Sequence, residues 1–411
     1  MKTTIAALRD NPTRRGMLAS IIEASLFNVW ATAVGGSFLT GFAIYLGADG
    51  FHLGILAGLP SFSTMLQLLC APFVVGLVRR RNFLAGFSGA QRIGSSLAGL
   101  AALWLMPSPV ALWFFIIAQM IAWALMAPPT VVWNGYMSDL VPPDVRGQYF
   151  ARRSFWSGIV SMLIVLLYGW LLDVMPGAPG FRILYLLALV GALGNLGAWF
   201  LHPELPQGDR KTARSFWESI RTPLLKPGPH RPATLFFAAW AFAQGIAAPF
   251  YAVVLLEKLS ISYGTVSLLL TIQSLTGILT AQFWGRYQDR VGQAKVIGIV
   301  SGIIALVPLL YLGARWGGLP MLIAASVLQG TAANAMGLAN QTLNMRLAPA
   351  EDRGSYFAFF GVASGLMGFF TPMLMGPLTE GHMDLLLIGG SVASAVLCLV
   401  WRTKLARLIT H

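Results

Sequence analysis

The chain has 411 residues, of which 56% are hydrophobic and only 10% are charged, and its mean hydropathy is +0.69. Soluble domains carry roughly 25% charged residues, because polar groups must cover their surface. This composition excludes a large soluble enzyme and is typical of a chain whose outer solvent is lipid. The formal net charge is +13. The basic residues lie in short segments between apolar runs, a pattern that indicates membrane topology rather than nucleic-acid binding.

The sequence gives no support for metal, disulfide or nucleotide chemistry. The two cysteines, Cys70 and Cys398, both lie inside apolar segments, and the five histidines show no ligand spacing. No Walker A motif, Rossmann glycine fingerprint or HExxH motif is present. We therefore predict that the protein uses no cofactor or metal and is not an enzyme.

Twelve apolar segments are long enough to cross a membrane, because a helical span needs about 20 residues. In chain order the predicted spans are 17–46, 52–78, 83–105, 109–140, 154–174, 180–201, 232–257, 263–284, 294–314, 319–347, 354–378 and 385–401. Most connections are very short, which predicts antiparallel helical hairpins. The longest, rich in Pro, Lys and Arg, predicts an N-terminal six-helix bundle over 1–202, a cytoplasmic linker over 203–231 and a C-terminal six-helix bundle over 232–411.

The basic residues also predict an orientation. With both termini in the cytoplasm, 24 of the 28 lysines and arginines lie on the cytoplasmic side, as the positive-inside rule requires. The basic N-terminus leads straight into a span longer than a signal sequence, so we expect this helix to be retained. These features predict a monomeric multi-pass protein of the plasma membrane, which in a bacterium is the inner membrane. Its expected partners are the lipid bilayer and a small-molecule substrate, not nucleic acid.

Two loops repeat at an offset of half the chain. Residues 140–151 read LVPPDVRGQYFA and residues 347–358 read LAPAEDRGSYFA, with seven identities at an offset of 207. Internal repeats of this kind build many transporters around a central site. The repeat therefore predicts two similar halves of six spans each.

The loop after the eighth span reads GRYQDRVGQAK over 285–295. It resembles the cytoplasmic loop motif G-x-x-x-D-R-x-G-x-x-(K/R) of the major facilitator superfamily, while its counterpart in the first half, 76–81, keeps the glycine and the basic run but lacks the aspartate. The resemblance implies an all-α polytopic fold of twelve transmembrane helices in two pseudo-symmetric bundles. It also implies a cytoplasmic gate of ion pairs that break when the carrier opens inward. The candidate gate residues are Asp139, Arg146, Asp289, Arg290, Arg346 and Arg353. The alternative is that these residues only anchor loops.

Only Glu23 and Arg92 carry charge clearly within the predicted spans. A charge in lipid is costly and requires a partner or a function. Both residues lie at comparable depth on the predicted cytoplasmic side, in the first and third spans, so they can form an ion pair. One hypothesis makes Glu23, with Arg92, the group that couples protons or substrate to transport. The other makes them a packing pair, or lets Glu23 extend to the surface.

Amide and indole side chains recur in the predicted spans. The candidate substrate-binding residues are Asn28, Trp30, Gln119, Trp123, Trp240, Gln244, Gln273, Gln329 and Asn334. All but one lie in the first, fourth, seventh and tenth spans, which line the cavity in the superfamily that the chain resembles. Aromatic faces and neutral hydrogen-bonding groups are typical of a small-molecule site. The alternative for each residue is a hydrogen bond between neighbouring helices.

Together these patterns predict a secondary active transporter that moves a small amphipathic organic solute by alternating access. Proton coupling, as in symport, is one expectation. The fifth span lacks the proline of the superfamily's antiporter pattern, which favours uptake over export. Two alternatives stay open: a proton-driven drug or metabolite efflux antiporter, and a non-transporting membrane sensor or assembly factor with a transporter fold.

Overall fold

The computed structural model describes residues 12–74, 77–106, 109–205, 216–349 and 352–406. Within these ranges the chain is almost entirely helical and contains no strand. Helices satisfy their backbone hydrogen bonds internally, which a chain in lipid requires. The all-α prediction is therefore confirmed.

Two compact units divide the chain. The first consists of residues 1–47 and 66–213, and the second of residues 48–65 and 214–411. The division near 213 falls within the predicted linker, of which residues 206–215 lie outside the described part. The start of the second predicted span, however, packs with the second unit. The domain boundaries drawn from the sequence stay a prediction.

Seven α-helices lie between residues 12 and 199, and six of them belong wholly to the first unit. They are α1 (Pro12–Ala33), α2 (Gly36–Tyr45), α3 (Gly50–Cys70, which starts in the second unit), α4 (Arg80–Leu105), α5 (Pro109–Leu140), α6 (Arg146–Val174) and α7 (Ala178–Trp199), where α1 and α2 are two parts of the first predicted span. The turn between α1 and α2 needs the positive φ of 52° that Gly36 supplies.

Close packing of α1 on α7 brings two polar positions of the first unit together. A Cβ added at Gly191 of α7 would lie 2.8 Å from Cβ of Val29, so only glycine permits this approach. One turn further along, Asn195 of α7 reaches Glu23 of α1. Helix α4 packs against α7, and α6 packs against α1, so polar side chains of four helices converge.

The second unit contains the remaining helices. They are α8 (Phe216–Leu225), α9 (His230–Ala247, continued by short helical turns to Lys258), α10 (Tyr263–Val291), α11 (Gln293–Leu347), α12 (Arg353–Met375) and α13 (Thr379–Val400). Its aromatic core includes Phe236, Phe237 and Trp401. The Trp401 indole donates a hydrogen bond of 2.7 Å to the Ala294 carbonyl, which ties the turn after α13 to the start of α11.

Nine helical stretches of the described residues are long and apolar enough to cross a membrane, and the protein is a multi-pass membrane protein. Two of the nine, with 55 and 51 residues, are each long enough for two spans. The 55-residue α11 breaks at Gly318 (φ 59°, ψ −146°), and the stretch Ser355–Leu405 contains the 3-10 turn Gly376–Leu378. The 26-residue α4 is not among the nine. The structure is thus consistent with twelve spans, a count that stays a prediction together with the orientation of the termini.

Candidate functional site

A cavity of about 350 Å³ lies inside the first unit. It falls within the size range of small-molecule sites, about 300–1,000 Å³. Its lining combines charged, amide, aromatic and aliphatic side chains from α1, α4, α5 and α6, with one residue of α7. The lining residues are Glu23, Ala24, Phe27, Asn28, Leu84, Ser88, Gln91, Arg92, Met126, Pro129, Thr130, Trp133, Arg153, Ser157 and Trp199.

Glu23 lies at the centre of the polar network in this cavity and is only 4% exposed. Its Oε2 is 3.2 Å from Nη2 of Arg153, and its Oε1 is 3.7 Å from Nη1 of Arg92. The Asn195 amide donates to Oε1 (3.2 Å) and to the Glu23 backbone carbonyl (2.8 Å). The structure therefore brings Glu23 and Arg92 together and adds a second arginine and an amide.

Arg92 is held from two sides. Its Nη1 donates to Oδ1 of Asn195, and its guanidinium carbon lies 4.9 Å from the centroid of the Phe27 ring, where the ring face attracts a cation. Its Nε is buried and has no hydrogen-bond partner among the described residues. An unpaired buried donor is costly, so the residues around Arg92 satisfy its guanidinium only in part.

Arg153 is held by contacts of the same kind. Its Nε donates to Oγ of Ser20 at 3.0 Å, and its guanidinium lies 5.0 Å from the centroid of the Trp133 ring. The cavity thus presents two cations, each against an aromatic face, and one carboxylate between them. This arrangement can bind the polar end of a solute next to an apolar surface.

The candidate binding residues of the first half occupy different environments. Asn28 lines the cavity, where its amide donates to the Ser157 carbonyl at 2.8 Å. Trp30 is buried and donates to Oγ of Ser95 at 2.7 Å, which joins α1 to α4. Gln119 is fully buried in α5, with both amide atoms lacking a partner among the described residues. Trp123 is half-buried, and neither it nor Gln119 lines the cavity.

Two candidates of the second half lie at helix contacts. The Gln244 amide of α9 donates to Oγ of Ser394 at 3.0 Å, and Trp240 stacks on Phe236 in the aromatic core. The Gln244 contact joins α9 to α13, whereas Trp240 and Phe236 lie one turn apart on α9 itself.

The other three candidates of the second half lie on α10 and α11. Asn334 lines a separate cavity of about 260 Å³ in the second unit. Gln273 is half-buried, where α10 passes close to Gly330. Gln329 keeps a buried Oε1 without a partner among the described residues. Whether any of the nine candidates contacts a substrate stays a prediction.

The first-half gate candidates have partners that the sequence did not predict. Oδ2 of Asp139 is 2.7 Å from Nη1 of Arg80, an arginine of the basic run at the start of α4. Nη2 of Arg146 donates to the carbonyls of Ser138 (2.9 Å) and Val141 (3.2 Å). Arg146 therefore caps the C-terminal end of α5, where the last carbonyls lack helical partners.

The second-half gate candidates lie on the surface. Asp289, Arg290 and Arg346 are exposed, and none of them forms an ion pair among the side chains that the structure describes. Arg353 begins α12, but its side chain lies outside the described part. Their role as a gate stays a prediction.

Sequence reasoning missed two members of the charged network. The predicted spans leave Arg153 in the loop between 140 and 154, whereas α6 begins at Arg146 and places Arg153 two turns into the helix. Asn195 lies within the apolar span 180–201 and is not among the predicted site residues. For Arg153, the available signal was the helical spacing of residues that continues through the repeated loop. For Asn195, it was an isolated amide in an apolar helix, since a polar group in a lipid-embedded helix needs a partner.

Comparison with known proteins identifies similar sequences and structures. Residues 233–408 match the family model described as Major Facilitator Superfamily. No curated protein matches the sequence. The structure is similar to the nucleoside transporter NupG (TM-score 0.70, 14% identity, covering 95% of this chain and 98% of that one). It is also similar to the xylose transporter XylE from E. coli (0.67, 15%, 97% and 98%) and to a POT family transporter in complex with 5-aminolevulinic acid (0.71, 14%, 98% and 97%).

Proposed function

We propose that the chain is a transporter of the major facilitator superfamily, of unresolved subfamily, that takes up a small amphipathic organic solute together with protons by alternating access. We place it in a bacterial inner membrane with both termini in the cytoplasm. The observation that carries the proposal is the cavity of the first unit, where Glu23 meets two arginines beside aromatic rings. Charged groups at membrane depth typically mark substrate or proton pathways.

Glu23 is the proposed coupling residue. When ionised, its carboxylate holds Arg92 and Arg153 by charge-assisted contacts. Protonation removes that charge and weakens both contacts, which frees arginine donors for a solute. Proton binding and solute binding then favour each other at one site, which is the thermodynamic requirement for cotransport.

Transport by purified protein in sealed proteoliposomes tests this function. We expect uptake of at least one solute from a labelled panel of organic acids, nucleosides, sugars and amines, with faster uptake when the outside is more acidic. Glu23→Gln should abolish the pH dependence while solute exchange persists. Glu257→Gln provides the matched control, because Glu257 is exposed and does not line the cavity.

Two outcomes contradict the proposal. Full pH-dependent uptake by the Glu23→Gln variant would show that the Glu23–arginine contacts serve helix packing and not proton coupling. Absence of flux for every solute, with folded protein correctly inserted, would favour the non-transporting sensor.

A further inference from the structure

We propose that the cavity of the first unit binds its solute as a monoanion, with one carboxylate group held by Arg92 and Arg153. This inference rests on the proposed transport function and specifies its substrate class. Its occupant is a small organic acid with an apolar body.

The first argument is charge balance. Only three of the fifteen lining residues are charged, and they are the carboxylate Glu23 and the cations Arg92 and Arg153. The empty site therefore carries one excess positive charge when Glu23 is ionised. An unmatched charge away from water is costly. With Glu23 ionised, one carboxylate cancels this charge, whereas a neutral solute leaves it, an amine doubles it and a dianion reverses it. Protonation of Glu23 adds a second positive charge, which the bound carboxylate offsets in turn, so proton binding and monoanion binding favour each other.

The second argument is donor availability. A guanidinium has five N–H donors in a planar fork that matches a carboxylate. Arg92 uses Nη1 for Asn195 and Glu23, and its Nη2 has no partner among the described residues. Arg153 uses Nε for Ser20 and Nη2 for Glu23, and its Nη1 has no partner in the part of the chain that the structure describes. The carboxylate of Glu23 therefore satisfies only part of the donor set that the two arginines present.

The third argument is the apolar remainder of the lining. Phe27, Trp133 and Trp199 provide aromatic surface, and Leu84 and Met126 provide aliphatic surface. The cavity volume of about 350 Å³ is near the lower end of the range for small-molecule sites. A compact acid with one ring or a short aliphatic body fits both the volume and the surface.

Binding of four matched probes to the purified full-length protein tests the charge class. The probes are 3-phenylpropionate, its carboxamide, 3-phenylpropylamine and the dianion phenylmalonate, which share a ring and differ in charge. Titration calorimetry, supported by tryptophan fluorescence, gives each affinity. We expect the monoanion to bind at least about tenfold more tightly than the amide, since hydrogen bonds to charged groups are stronger than those between neutral groups. The amine should bind most weakly.

Substitution of Arg153 connects this preference to the site. Arg153→Gln should weaken the monoanion by at least about tenfold and leave the amide within about threefold. Arg152→Gln is the matched control, because this neighbouring arginine is exposed and does not line the cavity. Arg153→Lys keeps the charge but not the fork and should give an intermediate affinity. It also tests the assignment if Arg153→Gln does not fold.

The proposal is overturned if the wild-type protein binds the amide as tightly as the acid, prefers the amine or the dianion, or binds none of the four probes. It is also overturned if anion preference survives in the folded Arg153 variants. The transport function fails separately. Acid binding that depends on Arg153, without flux in proteoliposomes, would retain the anion site and reject the transport function. Flux restricted to neutral solutes or amines would retain the transport function and reject the anion site.

Discussion

The contact between Glu23 and Arg153 makes a quantitative prediction about the stability of the first unit. Their charged atoms are 3.2 Å apart, and the two side chains are 5% and 18% exposed. At an effective dielectric constant of about 20, Coulomb attraction at this distance amounts to about 5 kcal/mol. Desolvation of both groups offsets much of this attraction. We therefore expect a coupling energy of about 2 kcal/mol, within the range observed for contacting residues.

A double-mutant cycle measures this energy. Glu23→Gln should lower the free energy of unfolding by about 3–5 kcal/mol, because two arginines lose their buried counter-ion. Arg153→Gln should cost less, about 1–3 kcal/mol, because Glu23 keeps Arg92 and Asn195. The double variant should be less destabilised than the sum of both by the coupling energy. Unfolding in mixed micelles of increasing SDS content, followed by tryptophan fluorescence, gives the three values.

A second cycle between Glu23→Gln and Arg152→Gln is the control. Arg152 is adjacent in sequence but exposed, so its coupling should be near zero. A Glu23–Arg153 coupling below about 0.5 kcal/mol, or one equal to that of Arg152, would refute the assignment of a buried ion pair at this site.

Two further predictions concern packing and pH. Gly54→Ala should destabilise the protein by about 1–3 kcal/mol, since the new methyl would lie 2.2 Å from the Pro372 carbonyl oxygen. Gly86→Ala is the control and should be neutral or slightly stabilising, because a Cβ at Gly86 would lie in open space. Equal losses of unfolding free energy for the two variants in SDS would contradict this prediction. Burial lowers the pKa of His202, which follows α7, below its ordinary value of 6.5. Because the unfolded chain then binds the proton more readily, stability should fall as pH drops below about 6.5. His202→Gln should reduce this loss, and an unchanged pH profile would refute it.

The sequence predicted most of the fold because the membrane imposes simple rules on it. Apolar segments of sufficient length must be helical, and short connections must make neighbours antiparallel. The helix boundaries were less predictable. The repeated loop that contains Arg146 reads as a connection, yet α6 begins at this residue, so Arg153 belongs to a helix and not to a loop.

The candidate site was predicted in part. Glu23 and Arg92 stood out because isolated charges in apolar segments require partners. The nine amide and indole candidates could not be separated from one another by sequence, since an amide in a span serves equally well as a contact between helices. Asn28 and Asn334 line cavities, whereas Trp30 and Gln244 bond to neighbouring helices. The rotation of each helix about its axis decides whether such a side chain faces a cavity or a neighbouring helix, and tertiary packing sets that rotation.

By itself, the sequence determined that this protein lies in a membrane, folds as helices and repeats its loops at half-length. These properties follow from hydropathy and local backbone constraints. Only the tertiary structure decided which polar groups meet: that Asn195 joins the Glu23 network, that Arg153 and not Arg92 alone balances the carboxylate, and that Asp139 pairs with Arg80. Such contacts join residues 59 to 172 positions apart. They depend on close helix approach at positions such as Gly191, which no local pattern of the chain specifies.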